Sequence, residues 1–153
     1  MTGIRAGVVD VYVIRRLRAS SRVLTLRRAA GTRSPGSWET VHGRIEPGED
    51  PPTAADRELI EETGLTADRV YSLGVNPMYL HQSGAVVLAI AFVAFVDSLD
   101  VTLGPEHDAF EWLGMTRAAA RFSWPREVEA LQHLRKLLSS GDAGALEDVL
   151  RVR

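Results

Sequence analysis

The sequence predicts one α/β domain, an α/β/α sandwich built from residues 1–153. Three observations carry that expectation. A run from Ala85 to Val96 is apolar at nearly every position, as a central strand covered on both faces must be. Helical segments occur both before and after it, so the sheet lies in the middle and helices outside. The length, 153 residues, is near the modal domain size, and no repeat, low-complexity tract or long linker divides the chain.

Taken in order, Ala6 to Arg15 and Arg22 to Arg28 read as strands from their Val, Ile, Leu and Tyr content, with a turn near Ala19–Ser21. Residues Ala29 to Ser37, rich in Gly, Ser, Arg and Pro, form a loop. A strand over Ser37 to His42 ends at Gly43, and Gly48 lies in the turn Glu-Pro-Gly-Glu. Pro51 and Pro52 fit a helix start, and Gly64 fits the left-handed cap that closes it. Further strands are expected over Val70 to Val75 and Ala85 to Val96, then a loop over Asp97 to Asp108 and a short strand at Glu111-Trp112-Leu113. A short helix over Arg117 to Ala120 precedes a longer one over Pro125 to Leu138, with Val128, Leu131, Leu134 and Leu138 on its apolar face. Gly141 breaks that helix, and Ala143 to Leu150 form a last helical segment.

The most informative stretch is Gly43 to Leu65, GRIEPGEDPPTAADRELIEETGL. Glu58, Glu61 and Glu62 stand at i, i+3 and i+4, so their side chains leave one helix within a sector of about 100°. Like charges so close repel, and an oxygen cluster of this kind suits a hard divalent ion such as Mg2+ or Mn2+. Ala55 and Leu59 flank the carboxylates and pack inward, holding the acidic face at the edge of the core. Arg57 is the one cation in the group, suited to gripping Glu49 in a two-point geometry, which is a structural role. Taken alone, an acidic helix face is usually just solvated. Nine specified positions together are different: their chance co-occurrence is on the order of one in ten million or less.

Those nine residues, Gly43, Glu49, Arg57, Glu58, Leu59, Glu61, Glu62, Gly64 and Leu65, fill the pattern GX5EX7REUXEEXGU, in which U is a bulky aliphatic residue. The chain therefore resembles the Nudix hydrolase superfamily. The resemblance implies a sandwich with a mixed central sheet and an enzyme that hydrolyses a diphosphate linkage in a nucleoside diphosphate joined to another group. It assigns Glu58, Glu61 and Glu62 to the metal and gives Gly43, Glu49, Arg57 and Gly64 structural roles within the motif. It also implies a further glutamate well after the motif, a place that Glu106 in GPEHDAFEWLG fills as fourth ligand or as the base that takes a proton from water. Asp108 and Glu111 compete for that role. His107 could serve as a base by its pKa, though a lone loop histidine is more often simply solvated.

By the same resemblance Arg28 meets substrate phosphates. Trp38 reads as half core and half pocket wall, and Tyr79 and Trp112 are ambiguous in the same way. Where many relatives read Pro-Gly before the motif glycine, this chain reads Val41-His42. The backbone carbonyl at that place contacts metal in relatives, so His42 joins the expected ligands.

Composition narrows the function classes. Hydrophobic residues at 45% and charged residues at 25% are those of a globular protein, and a net charge of −2 offers no broad basic surface for polymeric nucleic acid. With no cysteine, disulfides, thiolate metal sites and cysteine nucleophiles are excluded. The N-terminal segment lacks the form of a secretory signal and no apolar run reaches membrane-spanning length, which makes the cytoplasm the expected location. A homodimer is compatible with the sequence. The segments WETVHGRIEPGE and PEHDAFEWL resemble the dATP or dihydroneopterin triphosphate pyrophosphohydrolase branch. The expected substrate is thus like a nucleoside triphosphate, cut to a monophosphate and pyrophosphate, with ADP-ribose or a nucleotide sugar as alternative. A non-catalytic nucleotide sensor of the same fold would tend to lose motif acids, all kept here. The isopentenyl diphosphate isomerase branch needs a cysteine that is missing.

Overall fold

Alternation along the first strand sorts the core into two layers. Val9, Val11 and Val13 point to one side of the sheet, while Tyr12 and Ile14 point to the other. In the computed structural model, which describes all 153 residues, that strand is β1 (Gly3–Arg16). It is followed by β2 (Ser21–Arg28), β3 (Trp38–Glu39), β4 (Val41–Arg44), α1 (Pro51–Thr63), β5 (Arg69–Leu80), β6 (Ala85–Phe95) and β7 (His107–Leu113). Helices α2 (Met115–Arg121) and α3 (Pro125–Leu138) come next, then a 3-10 turn at Gly144–Leu146 and α4 (Glu147–Leu150).

The seven strands form one sheet, in the order β3-β2-β1-β6-β5, with β4 also on β1 and β7 also on β2. Pairing of β1 with β6 is parallel and every other pairing is antiparallel, so the sheet is mixed. Helix α1 covers one face, burying Ala54, Ala55 and Leu59 with Val9, Leu24, Leu26 and Phe92. Helices α2 and α3 cover the other, with Ala118, Ala130, Leu131, Leu134 and Leu138 against Tyr12, Tyr71 and Val93. The sandwich expected from the sequence is the one observed.

Several boundaries differ, each for a tertiary reason. The predicted strand Ser37–His42 is split at Thr40, where the chain leaves the edge of β2 (Leu26↔Glu39) and crosses to the edge of β1 (Val11↔Val41). Gly43 accordingly lies inside β4, opposite Val9, and does not end a strand. The loop expected to reach Asp108 ends earlier, because β7 starts at His107 and pairs with β2 along its length. Both β1 and β5 run further than their apolar content suggested, since β6 supplies a partner for Gly3–Ala6 and for Val75–Leu80. On α3, Val128 is only half-buried and Glu127 occupies the fully buried place.

Candidate active site

The motif helix starts and stops where local chemistry dictates. Asp50 caps it by accepting the Thr53 amide at 2.9 Å, Pro51 and Pro52 fill its first turn, and Gly64 closes it with φ 72°. With α1 set on the sheet, Glu58 lies against Gly43 and Glu62 beside the His42 amide, both in β4, while Glu61 stays exposed.

Gly43 decides where the Glu58 carboxyl can sit. A Cβ built there would lie 1.9 Å from the Glu58 carboxyl carbon, so the strand admits Glu58 only because residue 43 has no side chain. Arg57 then fixes the acids. Its Nε and Nη2 grip Glu49 at 2.8 Å each, its Nη1 reaches Glu58 at 2.7 Å and Glu61 at 3.4 Å, and Nη2 also donates to the Arg44 carbonyl at 2.8 Å. The fork on Glu49 is the two-point geometry expected, and those bonds hold the Glu49 carboxyl down to about 2. As arranged, no three acidic or histidine side chains already form a coordination sphere. Glu58 and Glu61 turn to the guanidinium, which relieves the repulsion that the spacing creates.

Glu62 is the acid without such relief. It is 4% exposed, its Oε1 has no hydrogen-bond partner, and its Oε2 accepts only a long bond, 3.4 Å, from the His42 amide. Burial, then the charges of Glu58, Glu106 and Glu39, push its carboxyl well above the usual carboxylate range. Burial likewise raises Glu58, outweighing the opposing bond from Arg57. A buried orphan oxygen among neighbouring carboxylates is what a divalent cation would satisfy, so the donor set fits the Mg2+ or Mn2+ expected.

Glu106 arrives through backbone docking. Thr102 and Gly104 donate to the carbonyls of Thr63 and Glu62 at 2.9 and 3.3 Å, and a Cβ on Gly104 would meet the Glu61 carbonyl oxygen at 2.7 Å. The post-strand loop thus lies against the C-terminal end of α1, and Trp112 pins its start by donating Nε1–H to the Leu99 carbonyl at 2.9 Å. Of the three acids in this segment, Glu106 is the one whose charge acts on Glu58 and Glu62. Asp108 is paired with Arg27 at 2.7 Å and Glu111 with Arg121 at 2.9 Å, both on the α2 side of the sheet.

Other expectations need correction. His107 is not a solvated loop residue: it is buried in β7, with Nε2 2.9 Å from Glu39 Oε1, because the strand begins one residue before Asp108. Arg28 does lie on the carboxylate side, but its Nη1 is spent on Glu39 at 2.9 Å and its Nε on the Arg33 carbonyl. Trp38, adjacent to Glu39 in a strand, points to the opposite face, where Arg121 lies 4.4 Å from its ring centre. It does not wall a pocket beside the carboxylates. Tyr79 is 64% exposed near the far end of β5. The His42 ring lies on the opposite face, with Nδ1 2.6 Å from Asp10, whereas the contact expected of this residue is through its backbone carbonyl.

Glu39 is the member that sequence reasoning missed. It is buried; burial favours its neutral form, but bonds from His107 and Arg28 outweigh that and hold the carboxyl below the usual range. Its adjacency to Trp38 and the motif was the available signal. It adds its charge to those of Glu58 and Glu106 beside Glu62.

A family model described as NUDIX domain matches residues 6–134. The chain is 36% identical over 122 residues to an octanoyltransferase of Myxococcus xanthus, a match covering 74% of this chain but only 32% of that protein. It is 29% identical over 111 residues to the asymmetrical bis(5'-nucleosyl)-tetraphosphatase of Rattus norvegicus, covering 69% of this chain and 75% of the relative. Among solved structures, a NUDIX-class protein from Listeria monocytogenes superposes with a TM-score of 0.73 at 25% identity, covering 87% of this chain and 94% of that one. An Ap4A hydrolase of C. elegans superposes with a TM-score of 0.71 at 21% identity, covering 87% and 97%. No helix is long and apolar enough to cross a membrane.

Proposed function

The chain belongs to the Nudix family, and we propose that it hydrolyses a phosphoanhydride in a nucleoside-triphosphate-like substrate, releasing a nucleoside monophosphate and pyrophosphate. The observation that carries this reading is Glu62, a buried carboxyl with an orphan oxygen, flanked by Glu58, Glu106 and Glu39. Glu58, Glu61 and Glu62 would hold Mg2+ or Mn2+, with Glu106 as a fourth ligand or as base. When bound, the ion supplies neutralisation of the phosphate oxygens and a more acidic water.

The chain's own groups do the rest. Arg57 keeps Glu49, Glu58 and the backbone of Arg44 in register, so the acids face the substrate in a fixed arrangement. In the base role, Glu106, on the docked loop and exposed to solvent, would accept the proton of the attacking water. Arg28 brings positive charge to the phosphate side while its bond to Glu39 sets its direction. Water attacks phosphorus in line, one P–O bond forms and the bridging P–O bond breaks. No covalent enzyme intermediate is needed.

A second reading is favoured by the rat tetraphosphatase, whose match covers 69% of this chain: a dinucleoside polyphosphate as substrate. ADP-ribose is a third candidate, since a related Shewanella oneidensis domain is described as complexed with it. The test is a panel of nucleoside triphosphates, dinucleoside tetraphosphates and ADP-ribose with Mg2+, run in water labelled with heavy oxygen. Monophosphate plus pyrophosphate from a triphosphate supports the first reading. Orthophosphate release from triphosphates, or turnover of the tetraphosphates alone, overturns it.

A further inference from the structure

An acid in the first turn of a helix ordinarily faces water, where it complements the helix dipole. Glu127, in the first turn of α3, does the opposite: it is 0% exposed. Burying a carboxyl between a helix and a sheet is costly unless it meets a partner that needs it. Its partner is the backbone of Thr40. Glu127 Oε2 accepts the Thr40 amide at 2.6 Å, through the face of the sheet opposite to the carboxylates of α1.

Thr40 is where the chain steps from the edge of β2 to the edge of β1, so its amide has no place in either ladder. Side chains satisfy this corner instead: Glu127 takes the N–H, and the Thr40 hydroxyl donates to the Val11 carbonyl at 2.5 Å. The same turn of α3 makes a second attachment, Arg126 Nε to Asp10 at 2.8 Å, and Asp10 in turn holds the His42 ring at 2.6 Å. The residues flanking the corner both serve the opposite face. Glu39 precedes it and engages Arg28 and His107; His42 follows it and aims its amide at Glu62.

We propose that Glu127 is a positioning residue for the hydrolytic site: through the Thr40 amide, it fixes the β3–β4 corner that presents Glu39 and the His42 amide to the carboxylates of α1. The proposal rests on the hydrolase reading only for its activity arm. The carboxyl serves the corner as an acceptor, through Oε2. Burial pushes it well above the usual range, and its second oxygen and the nearby Tyr12 hydroxyl are both buried without partners. An amide can therefore replace it, and an alkyl group cannot.

The experiment compares Glu127→Gln and Glu127→Leu with the parent in two readouts: steady-state kinetics with Mg2+ on the best substrate of the panel, and hydrogen exchange of the Thr40 and His42 amides without substrate. Glu127→Leu is expected to lose about 10- to 100-fold in kcat, the usual effect of removing a supporting partner of a metal site, with KM little changed. Its Thr40 amide should exchange at least about tenfold faster. Glu127→Gln should restore most of kcat and keep the amide protected. If Glu127→Leu does not fold, Glu127→Gln decides alone, since a folded amide variant with lost turnover or an unprotected Thr40 overturns the proposal. A folded Glu127→Leu with parental kcat also overturns it. Should the parent cleave no diphosphate, the hydrolase reading fails, while the exchange arm still tests whether Glu127 fixes the corner.

Discussion

The Arg57 guanidinium holds the Glu49 carboxylate by two bonds of 2.8 Å, across eight residues of turn and helix. Nη1 of the same group reaches Glu58, so one guanidinium links a carboxylate of the turn with a carboxylate of the helix. Lysine keeps the charge but not the fork. Arg57→Lys should lower kcat by about tenfold or more, the scale of a lost supporting contact. Stopped assays on matched protein, with Tm measured alongside, check whether turnover falls while folding persists.

Gly43→Ala offers a sharper separation of fold from site. The new methyl would collide with the carboxyl end of Glu58, a flexible tip that can swing away. Stability should change by less than about 1 kcal/mol, within the range for tolerated substitutions, while kcat collapses. Parental turnover in a folded Gly43→Ala protein would show that Glu58 does not need its place beside the strand.

Glu62→Gln should uncouple stability from activity. Its ionised form is disfavoured in the fold, first by burial and then by Glu58, Glu106 and Glu39, so a neutral amide should leave metal-free Tm unchanged or raised. Turnover should drop by about two orders of magnitude or more, since an amide is a poor substitute for an anionic ligand. A lower Tm or near-parental kcat would contradict that.

Among the post-strand acids, Glu106→Gln should cut kcat far more than it raises KM. Asp108→Asn and Glu111→Gln should stay near parental, because their carboxylates are engaged with Arg27 and Arg121 on the other face. The reverse ranking in side-by-side kinetics would assign the role to a different acid.

The pH dependence of stability should show Asp10. Burial opposes its ionisation, but bonds from His42 and Arg126 more than compensate and lower its pKa from 3.8 to about 2. The folded state thus favours the ionised form. This contribution is fully present above the unfolded value of 3.8 and disappears as pH falls through about 2. It amounts to about 2 kcal/mol. Urea midpoints between pH 2 and 6 should fall more steeply for the parent than for Asp10→Asn, which itself starts lower because Arg126 loses its buried partner. Parallel curves would remove Asp10 from the acid response.

Local chemistry made much of this protein legible from its sequence. The helix Pro51–Thr63 was fixed by Pro at its start, Gly64 at its end and the inward spacing of Ala55 and Leu59, all properties of neighbouring residues. The convergence of Glu58, Glu61 and Glu62 on one helical face follows from 3.6-residue periodicity, and the Arg57–Glu49 pair from motif spacing. What the sequence could not determine depends on partners distant along the chain. That Thr40 splits a strand is decided by two different sheet edges, and that Glu127 is buried by a backbone amide 87 residues away. His107 joins a strand because β2 is there to pair with it, and Trp38 faces away from the carboxylates because β3 alternates against α2. The reason Gly43 must be glycine is likewise tertiary: the space above it belongs to Glu58. Periodicity and caps act within a few residues, whereas strand pairing and burial are set only when the whole sheet has closed.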